Sequence, residues 1–224
     1  MSFFDAPVHG AYLVVSSLGD LLAPVAGSLA TAGAIVLFTL AVRTLLLPLS
    51  IAQLRGERRR TAFLAKVGEL NTRYRERPRA LERELARVQA EGGGSLFAGL
   101  LPSLSQVPFF LVMYRLFQSS TVDGAPNGLL WHDLLGAPLG ERLLGLLGTH
   151  PLVAAGLVVL LGLTAFWSGQ LAARRGQDGW LVRALPCAVV VLALFLPLAA
   201  GIYLLVSTAW TIAQRQVYDR LVPA

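Results

Sequence analysis

Long apolar runs separated by short polar stretches dominate the chain. A helix needs about 20 mostly apolar residues to cross the hydrocarbon core of a bilayer, and roughly 17 is the lower limit. Five stretches meet or approach this length. They are residues 31–54, 96–119, 151–171, 181–196 and 198–217, with only the turn at Pro197 between the last two. The pattern predicts an all-α polytopic membrane protein with five transmembrane spans.

The N-terminal stretch shows helical periodicity of a different kind. Apolar residues recur at roughly helical spacing at Val8, Tyr12, Val15, Leu18 and Leu22. They predict an interfacial amphipathic helix over residues 1–24 that lies on the outer membrane surface and ends near Pro24. Alternatively, this stretch is the first half of a longer apolar segment. It lacks the basic start of a signal peptide.

Residues 55–94, between the first two spans, combine many charges with two apolar stripes. Phe63, Val67, Leu70 and Tyr74 follow one helix face, and Leu81, Leu85 and Val88 follow another. Pro78 interrupts the pattern, because proline is poorly tolerated inside a helix. The stretch predicts an antiparallel helical hairpin. Its exposed charges either serve only to fix topology or form a docking surface at Arg58, Arg59, Arg60, Lys66, Arg73 and Arg75.

The distribution of basic residues predicts the orientation. Lysine and arginine are retained on the cytoplasmic side of short loops. They are abundant in residues 55–94, recur in the 172–180 loop and in the 218–224 tail, and are scarce in the 120–150 loop. These counts predict an N-terminus outside, a 120–150 loop outside and a C-terminus in the cytoplasm of a bacterial plasma (inner) membrane.

Composition agrees with a membrane location and gives no support for an enzyme. Only 14% of the 224 residues are charged, 55% are hydrophobic, mean hydropathy is +0.62, and the net charge is +6. The single cysteine, Cys187, can form no disulfide within the chain, and the three histidines lack metal-ligand spacing. We find no motif for a cofactor, a phosphate-binding loop or a nucleophile. No cofactor or metal is expected.

Arg43 is the most unusual residue, because it lies within the first predicted span. A central arginine costs about 2.5 to 3.5 kcal/mol on insertion scales and usually has a function. The alternative is that its long side chain snorkels towards the cytoplasmic surface. No acidic residue lies well inside any predicted span. We therefore expect an unpaired cation that is available to a charge on a substrate.

Other spans carry polar residues that favour a shared hydrated cavity. The second span contains Ser103, Ser105, Gln106, Tyr114 and Arg115. The fifth contains Tyr203, Ser207, Thr208, Thr211 and Gln214, of which Ser207, Thr211 and Gln214 share one helix face. Each serine or threonine alone is more often bonded to its own backbone. Together with Arg43, these side chains predict a hydrated groove inside the membrane.

Three stretches in order resemble the YidC family of membrane protein insertases, which is related to the Oxa and Alb proteins of organelles. They are "AVRTLLLPLSIAQLRGERRRTAFLAKVGELNTRY", "LLPSLSQVPFFLVMYRLF" and "FLPLAAGIYLLVSTAWTIAQRQV". Matching positions include Pro102, Gln106, Pro108, Tyr114 and Pro197. Leu204 stands where the family usually has a second aromatic residue, and Thr208 replaces a frequent asparagine. We therefore expect a compact bacterial form, without the large extracytoplasmic domain, the lipoprotein-type start or the basic tail of other members.

The resemblance implies an insertase and chaperone for nascent membrane proteins, without ATP or metal. The implied groove residues are Arg43, Gln106, Tyr114, Tyr203, Ser207, Thr208 and Gln214. The implied partners are nascent membrane proteins, the ribosome, the signal recognition particle and its receptor, the Sec translocon and anionic lipids, but not DNA. Two alternative hypotheses for the function are a small transporter or channel for an anionic solute, and a structural subunit of a translocation complex.

Overall fold

The computed structural model describes residues 5–75, 77–90, 107–174 and 180–221. The chain divides into two units, one formed by Met1–Thr44 with Phe109–Ala224 and the other by Leu45–Pro108. The described residues are mostly helical, and the first unit also contains two short antiparallel β-hairpins. The predicted helical fold is thus confirmed in its coarser form, a mostly helical chain.

The first unit begins with a nearly continuous helical stretch. Helix α1 (Asp5–Ala26) leads through a short 3-10 helix (Gly27–Leu29) into α2 (Ala30–Leu45). Pro24 lies inside the last turn of α1, which ends two residues later at Ala26, close to the predicted end. Gly27 ends the helix instead, because its φ of +53° is a left-handed conformation that costs glycine little.

Helix α1 packs against the rest of the first unit through one face. Val8, Ala11, Val15 and Gly19 are buried at helical spacing, while Tyr12, Leu18 and Leu22 are partly buried against the same core. Two side-chain contacts hold its first turns. Arg115 Nη2 lies 3.2 Å from Asp5 Oδ1, and His9 Nδ1 lies 3.5 Å from Asp123 Oδ2. The opposite face exposes Leu21 and Val25.

The C-terminal part of the first unit consists of three helices. They are α7 (Pro151–Arg174), α8 (Trp180–Ala193) and α9 (Leu198–Leu221), and α7 contacts both of the others. Gly201 permits the close approach of α9 to α7, since a Cβ atom there would lie 2.8 Å from Leu157 Cδ2. Small residues at such crossings let the helix backbones come close in membrane proteins.

Large apolar side chains cover the outside of these helices. Leu152 is 89% exposed and Phe166 is 62% exposed on α7, and α8 exposes Val191 and Leu192. Among the described residues, Asp5–Leu45 and Pro151–Arg174 are long and apolar enough to cross a membrane. Exposed apolar surface on this scale marks contact with lipid rather than water.

Helix α5 (Val107–Gln118) and α7 are connected by an ordered segment that the sequence predicted only as a loop. It contains the hairpins β1–β2 (Thr121–Val122 with Ala125–Pro126) and β3–β4 (Asp133–Leu134 with Ala137–Pro138), a 3-10 helix (Gly128–Trp131) and α6 (Leu143–Thr149). We call residues 119–150 the cap segment. Glycines with positive φ, Gly124 and Gly136, complete its two tight turns.

Asn127 is the polar centre of the cap segment and is fully buried. Its Nδ2 donates to Leu116 O at 2.7 Å and to Ser119 O at 3.0 Å, which satisfies carbonyl groups at the end of α5. Its Oδ1 accepts from Leu129 N at 3.3 Å. Asn127 therefore joins the end of α5 to the start of the 3-10 helix.

The cap segment is also bonded to the junction between α8 and α9. Leu143 N and Leu144 N donate to Leu196 O and Leu194 O at 3.0 and 2.9 Å, while Leu198 N donates to Glu141 O at 2.9 Å. These bonds satisfy backbone groups where the chain turns at Pro197, which has no N–H to donate. The tight turn predicted at Pro197 is thus held from the side by the cap segment.

The second unit contains α3 (Leu47–Arg73) and α4 (Pro78–Ala90), which contact each other. A turn at Leu46 separates α3 from α2, so the predicted 31–54 stretch contains a helix break, and Pro48 occupies the first turn of α3. The two apolar stripes face inwards. Leu70 and Val88 are buried, and the other stripe residues are half-buried.

Replacing Asn127 with alanine is expected to lower the free energy of unfolding by about 1 to 3 kcal/mol, because carbonyl groups at the end of α5 lose their donors. Thermal and denaturant unfolding of the purified protein in detergent measure this change. Asn71→Ala is the matched control, because Asn71 is exposed on α3. Equal stability of the two variants would contradict the role of Asn127.

Candidate functional site

One face of α9 carries a line of four side chains with polar groups. Tyr203, Ser207, Trp210 and Gln214 follow one another at intervals of four, three and four residues, which places them in one line along the helix. Tyr203 is 9% exposed and Ser207 is 5% exposed. The line begins in the buried half of α9 and ends near its charged C-terminal turns.

Arg43 reaches this face from α2. The side chain is half-buried, and its Nη2 donates a hydrogen bond to Ser207 Oγ. Tyr203, one turn before Ser207, shares a side-chain hydrogen bond with it and interacts electrostatically with the guanidinium. The structure therefore brings three of the predicted site residues together as one polar cluster: Arg43, Tyr203 and Ser207.

The cluster changes the expectation of an unpaired cation. The guanidinium of Arg43 is held by a protein hydroxyl and is not free in the way the sequence suggested. A guanidinium carries its five N–H donors in a fixed planar fork, so the bond to Ser207 helps to fix the position of the group. The hydroxyls of Ser207 and Tyr203 thus orient the cation along the polar face of α9.

The two threonines of α9 satisfy their hydroxyls within the helix. Thr208 Oγ1 donates to Leu204 O at 2.7 Å and to Leu205 O at 3.0 Å, and Thr211 Oγ1 donates to Ser207 O at 2.9 Å. Thr208 also lies well off the line of Tyr203 and Ser207, since each residue turns the helix by about 100°. The Thr208 hydroxyl is therefore bonded to the backbone of its own helix, which is the ordinary situation of a threonine in a membrane helix.

Trp210 is a member of the face that the sequence analysis missed. Its indole Nε1 and Gln214 Nε2 are buried and have no hydrogen-bond partner among the residues that the structure describes. Buried N–H groups normally find a partner in protein, water or ligand. The signal in the sequence was the spacing, because Trp210 stands three residues after Ser207 and four before Gln214.

Fewer of the predicted site residues of the second span lie in the part of the chain that the structure describes. Gln106 lies outside the described residues. Tyr114 is 42% exposed on α5, whose buried face is formed by Met113, Leu116 and Phe117. Arg115 contacts Asp5 at the start of α1 and so helps to hold that helix.

The six basic residues predicted as a docking surface lie on or just after α3. Arg59, Lys66, Arg73 and Arg75 are exposed, while Arg58 and Arg60 are half-buried. The guanidinium of Arg73 lies 6.0 Å from the ring centre of Tyr74. The surface of the second unit is therefore strongly basic along α3, with glutamates between the basic residues.

Apolar helices exposed to lipid, with a polar cluster between two of them, define a polytopic helical membrane protein. The chain belongs to the 60Kd inner membrane protein family, whose model matches residues 22–223. The resemblance inferred from the three sequence stretches is thereby confirmed. The family match covers both the cluster and the basic helix α3.

Several curated proteins are similar to this chain at low identity. "Membrane protein insertase YidC" of Chlorobium limicola is 27% identical over 187 residues, which cover 81% of this chain and 32% of that protein. "Membrane protein insertase YidC 2" of Listeria innocua is 28% identical over 184 residues, which cover 80% of this chain and 61% of that protein. The chain thus spans about a third of the length of the first relative and 61% of the length of the second.

Ser207→Ala removes the acceptor that holds Arg43 and is expected to lower the free energy of unfolding by about 1 to 2 kcal/mol. Denaturant unfolding in detergent measures the loss. The matched control is Thr208→Ala, because that hydroxyl bonds only carbonyls of its own helix and its loss is expected to have a smaller effect. The reverse order of the two effects would refute the contact between Arg43 and Ser207 as a stabilising one.

Proposed function

We propose that this protein is a membrane protein insertase and chaperone. It moves the polar tails of nascent membrane proteins along a hydrophilic surface inside the membrane and releases their apolar segments into lipid. The observation that carries the proposal is the hydrogen bond that holds the Arg43 guanidinium on the polar face of α9. Family membership and the names of the relatives support the same function.

In this mechanism Arg43 attracts acidic groups of the tail that enters the membrane. A charge exerts a stronger field in an apolar environment than in water. The hydrogen bond to Ser207 keeps the guanidinium in place as the tail passes. The buried N–H groups of Trp210 and Gln214 supply further donors along the same face. They suit the carbonyl oxygens of an extended chain, which need a partner wherever water is scarce.

The free energy for insertion comes from the substrate. Burial of about 20 apolar residues in the hydrocarbon core favours the inserted state. The polar face shortens the distance over which the tail is without hydrogen-bond partners. This lowers the kinetic barrier, leaves the equilibrium unchanged, and requires no covalent chemistry, cofactor or metal.

The proposed topology has five spans, with the N-terminus and the cap segment outside and the C-terminus in the cytoplasm. Helix α1 lies at the outer surface, where its ends contact the cap segment: β1 contacts α1, and β3 contacts the 3-10 helix that follows it. Basic residues on α3 and at the end of α9 support this orientation under the positive-inside rule.

The basic surface of α3 is the proposed docking site for cytoplasmic partners. Phosphate groups of anionic lipids or ribosomal RNA are attracted to clustered arginines. Further proposed partners are the signal recognition particle, its receptor and the Sec translocon. Substrates would then be received close to the cytoplasmic membrane surface.

Arg43→Glu is expected to abolish insertion of single-span substrates with acidic tails, while Arg43→Lys retains partial activity because the positive charge is kept. Complementation of an insertase-depleted bacterium, and insertion into liposomes containing the purified variant, measure the effect. Arg220→Glu is the control, because it makes the same charge change on an exposed residue near the end of α9. Full activity of Arg43→Glu at equal expression would overturn the electrostatic mechanism, and solute flux through the liposomes would favour a transporter.

The topology predicts opposite labelling of two engineered cysteines in a chain whose Cys187 is replaced by serine. Asp123→Cys on the cap segment is expected to react with a membrane-impermeant thiol reagent added to intact spheroplasts. Glu69→Cys on α3 is expected to react only after the membrane is opened. Both residues are exposed, so equal labelling from outside would reverse or remove the proposed orientation.

A further inference from the structure

The turn of the β3–β4 hairpin holds a leucine in a conformation that suits other residues better. Leu135 has a φ of +53° and is 68% exposed. Turns with two left-handed residues favour asparagine, aspartate and glycine, because a larger side chain clashes with the backbone there. Exposure to water would add a second disadvantage for an apolar side chain. The position calls for an explanation beyond the turn itself.

The other hairpin of the cap segment provides an internal comparison. Its turn, Asp123–Gly124, has φ values of +56° and +79°, close to the +53° and +85° of Leu135–Gly136. The first turn carries the aspartate that this conformation favours. Two turns with nearly the same backbone thus carry an aspartate in one case and a leucine in the other. The geometry of the turn therefore does not require leucine.

The β3–β4 hairpin lies where two apolar helices begin. A Cβ atom on Gly136 would lie 4.0 Å from Nε2 of His150, the residue just before α7. Strand β3 also contacts the 3-10 helix Gly27–Leu29, which leads directly into α2. On α7 the second residue, Leu152, is 89% exposed. The hairpin therefore stands at the level where lipid-facing surface starts.

A second exposed apolar residue stands at the base of the hairpin. Trp131 is 74% exposed at the end of the 3-10 helix that precedes β3. The two sides of the base lie close together: Gly140 N donates to Leu130 O at 3.0 Å, and a Cβ atom on Gly140 would lie 2.9 Å from that oxygen. Trp131 follows directly after this close backbone approach.

We propose that Trp131 and Leu135, together called the apolar tip, insert into the interfacial layer of the bilayer as a lipid anchor of the cap segment. Tryptophan is enriched at this depth, where its ring contacts both acyl chains and headgroups. Lipid is the occupant that fits, because the neighbouring helix ends also expose large apolar side chains: Leu152 is 89% exposed in the first turn of α7, and Val25 is 91% exposed in the last turn of α1. The anchor requires membrane location and does not depend on insertase activity.

The test places a fluorescent probe on each hairpin turn of the full chain with Cys187 replaced by serine. The variants Leu135→Cys and Asp123→Cys are labelled with nitrobenzoxadiazole and reconstituted into phosphatidylethanolamine–phosphatidylglycerol liposomes. A lipid with a nitroxide near its headgroup is expected to quench the probe at residue 135 several-fold more than the probe at residue 123. Iodide in the buffer is expected to show the opposite preference.

A second variant separates anchoring from folding. Leu135→Asn suits the left-handed turn, so the unfolding temperature in detergent is expected to stay the same or rise. A probe at Trp131→Cys is expected to lose several-fold of its lipid quenching when Leu135→Asn is added. Equal iodide quenching at both turns would overturn the anchor, as would protection of residue 135 from both quenchers, which would indicate a protein partner or a second copy.

Discussion

The rest of this structure depends on one constraint: polar groups among apolar helices must find their partners inside the protein. Hydrocarbon offers no hydrogen bonds, and an unsatisfied group costs several kcal/mol there. Thr208 and Thr211 therefore bond carbonyls of their own helix, and Arg43 bonds Ser207 on a neighbouring helix. Four buried side-chain nitrogens have no hydrogen-bond partner among the described residues, and two of them, on Trp210 and Gln214, lie on the face that Arg43 also reaches. Part of the unused hydrogen-bonding capacity of the described residues is thus found on one face of α9.

The cap segment applies the same constraint at the ends of the helices. Asn127 satisfies the carbonyls that end α5, and the backbone around residues 141–144 satisfies the junction of α8 and α9. The cap segment bonds to the start of α9, whereas the polar face of α9 runs towards the charged end of that helix.

Much of the architecture was predictable because it follows from local pattern. The bounds of α7, α8 and α9 lie close to the predicted 151–171, 181–196 and 198–217, since long apolar runs between polar breaks leave few alternatives. The helix break at Leu46 was not predicted, because propensity alone does not decide where one helix of a continuous apolar run ends. The cap segment was missed because two-residue strands carry almost no periodicity.

The sequence by itself determined the class of the protein, the apolar helices and the presence of Arg43 within an apolar run, because hydropathy and charge are properties of residues in a row. Only the tertiary structure decided which polar residues meet. It joined Arg43 to Ser207 and Tyr203, added Trp210 to their face, and left the Thr208 hydroxyl bonded to its own helix. The physical reason is that a hydrogen bond across 164 positions depends on how two helices pack and rotate. The spacing of residues along one segment does not specify that rotation.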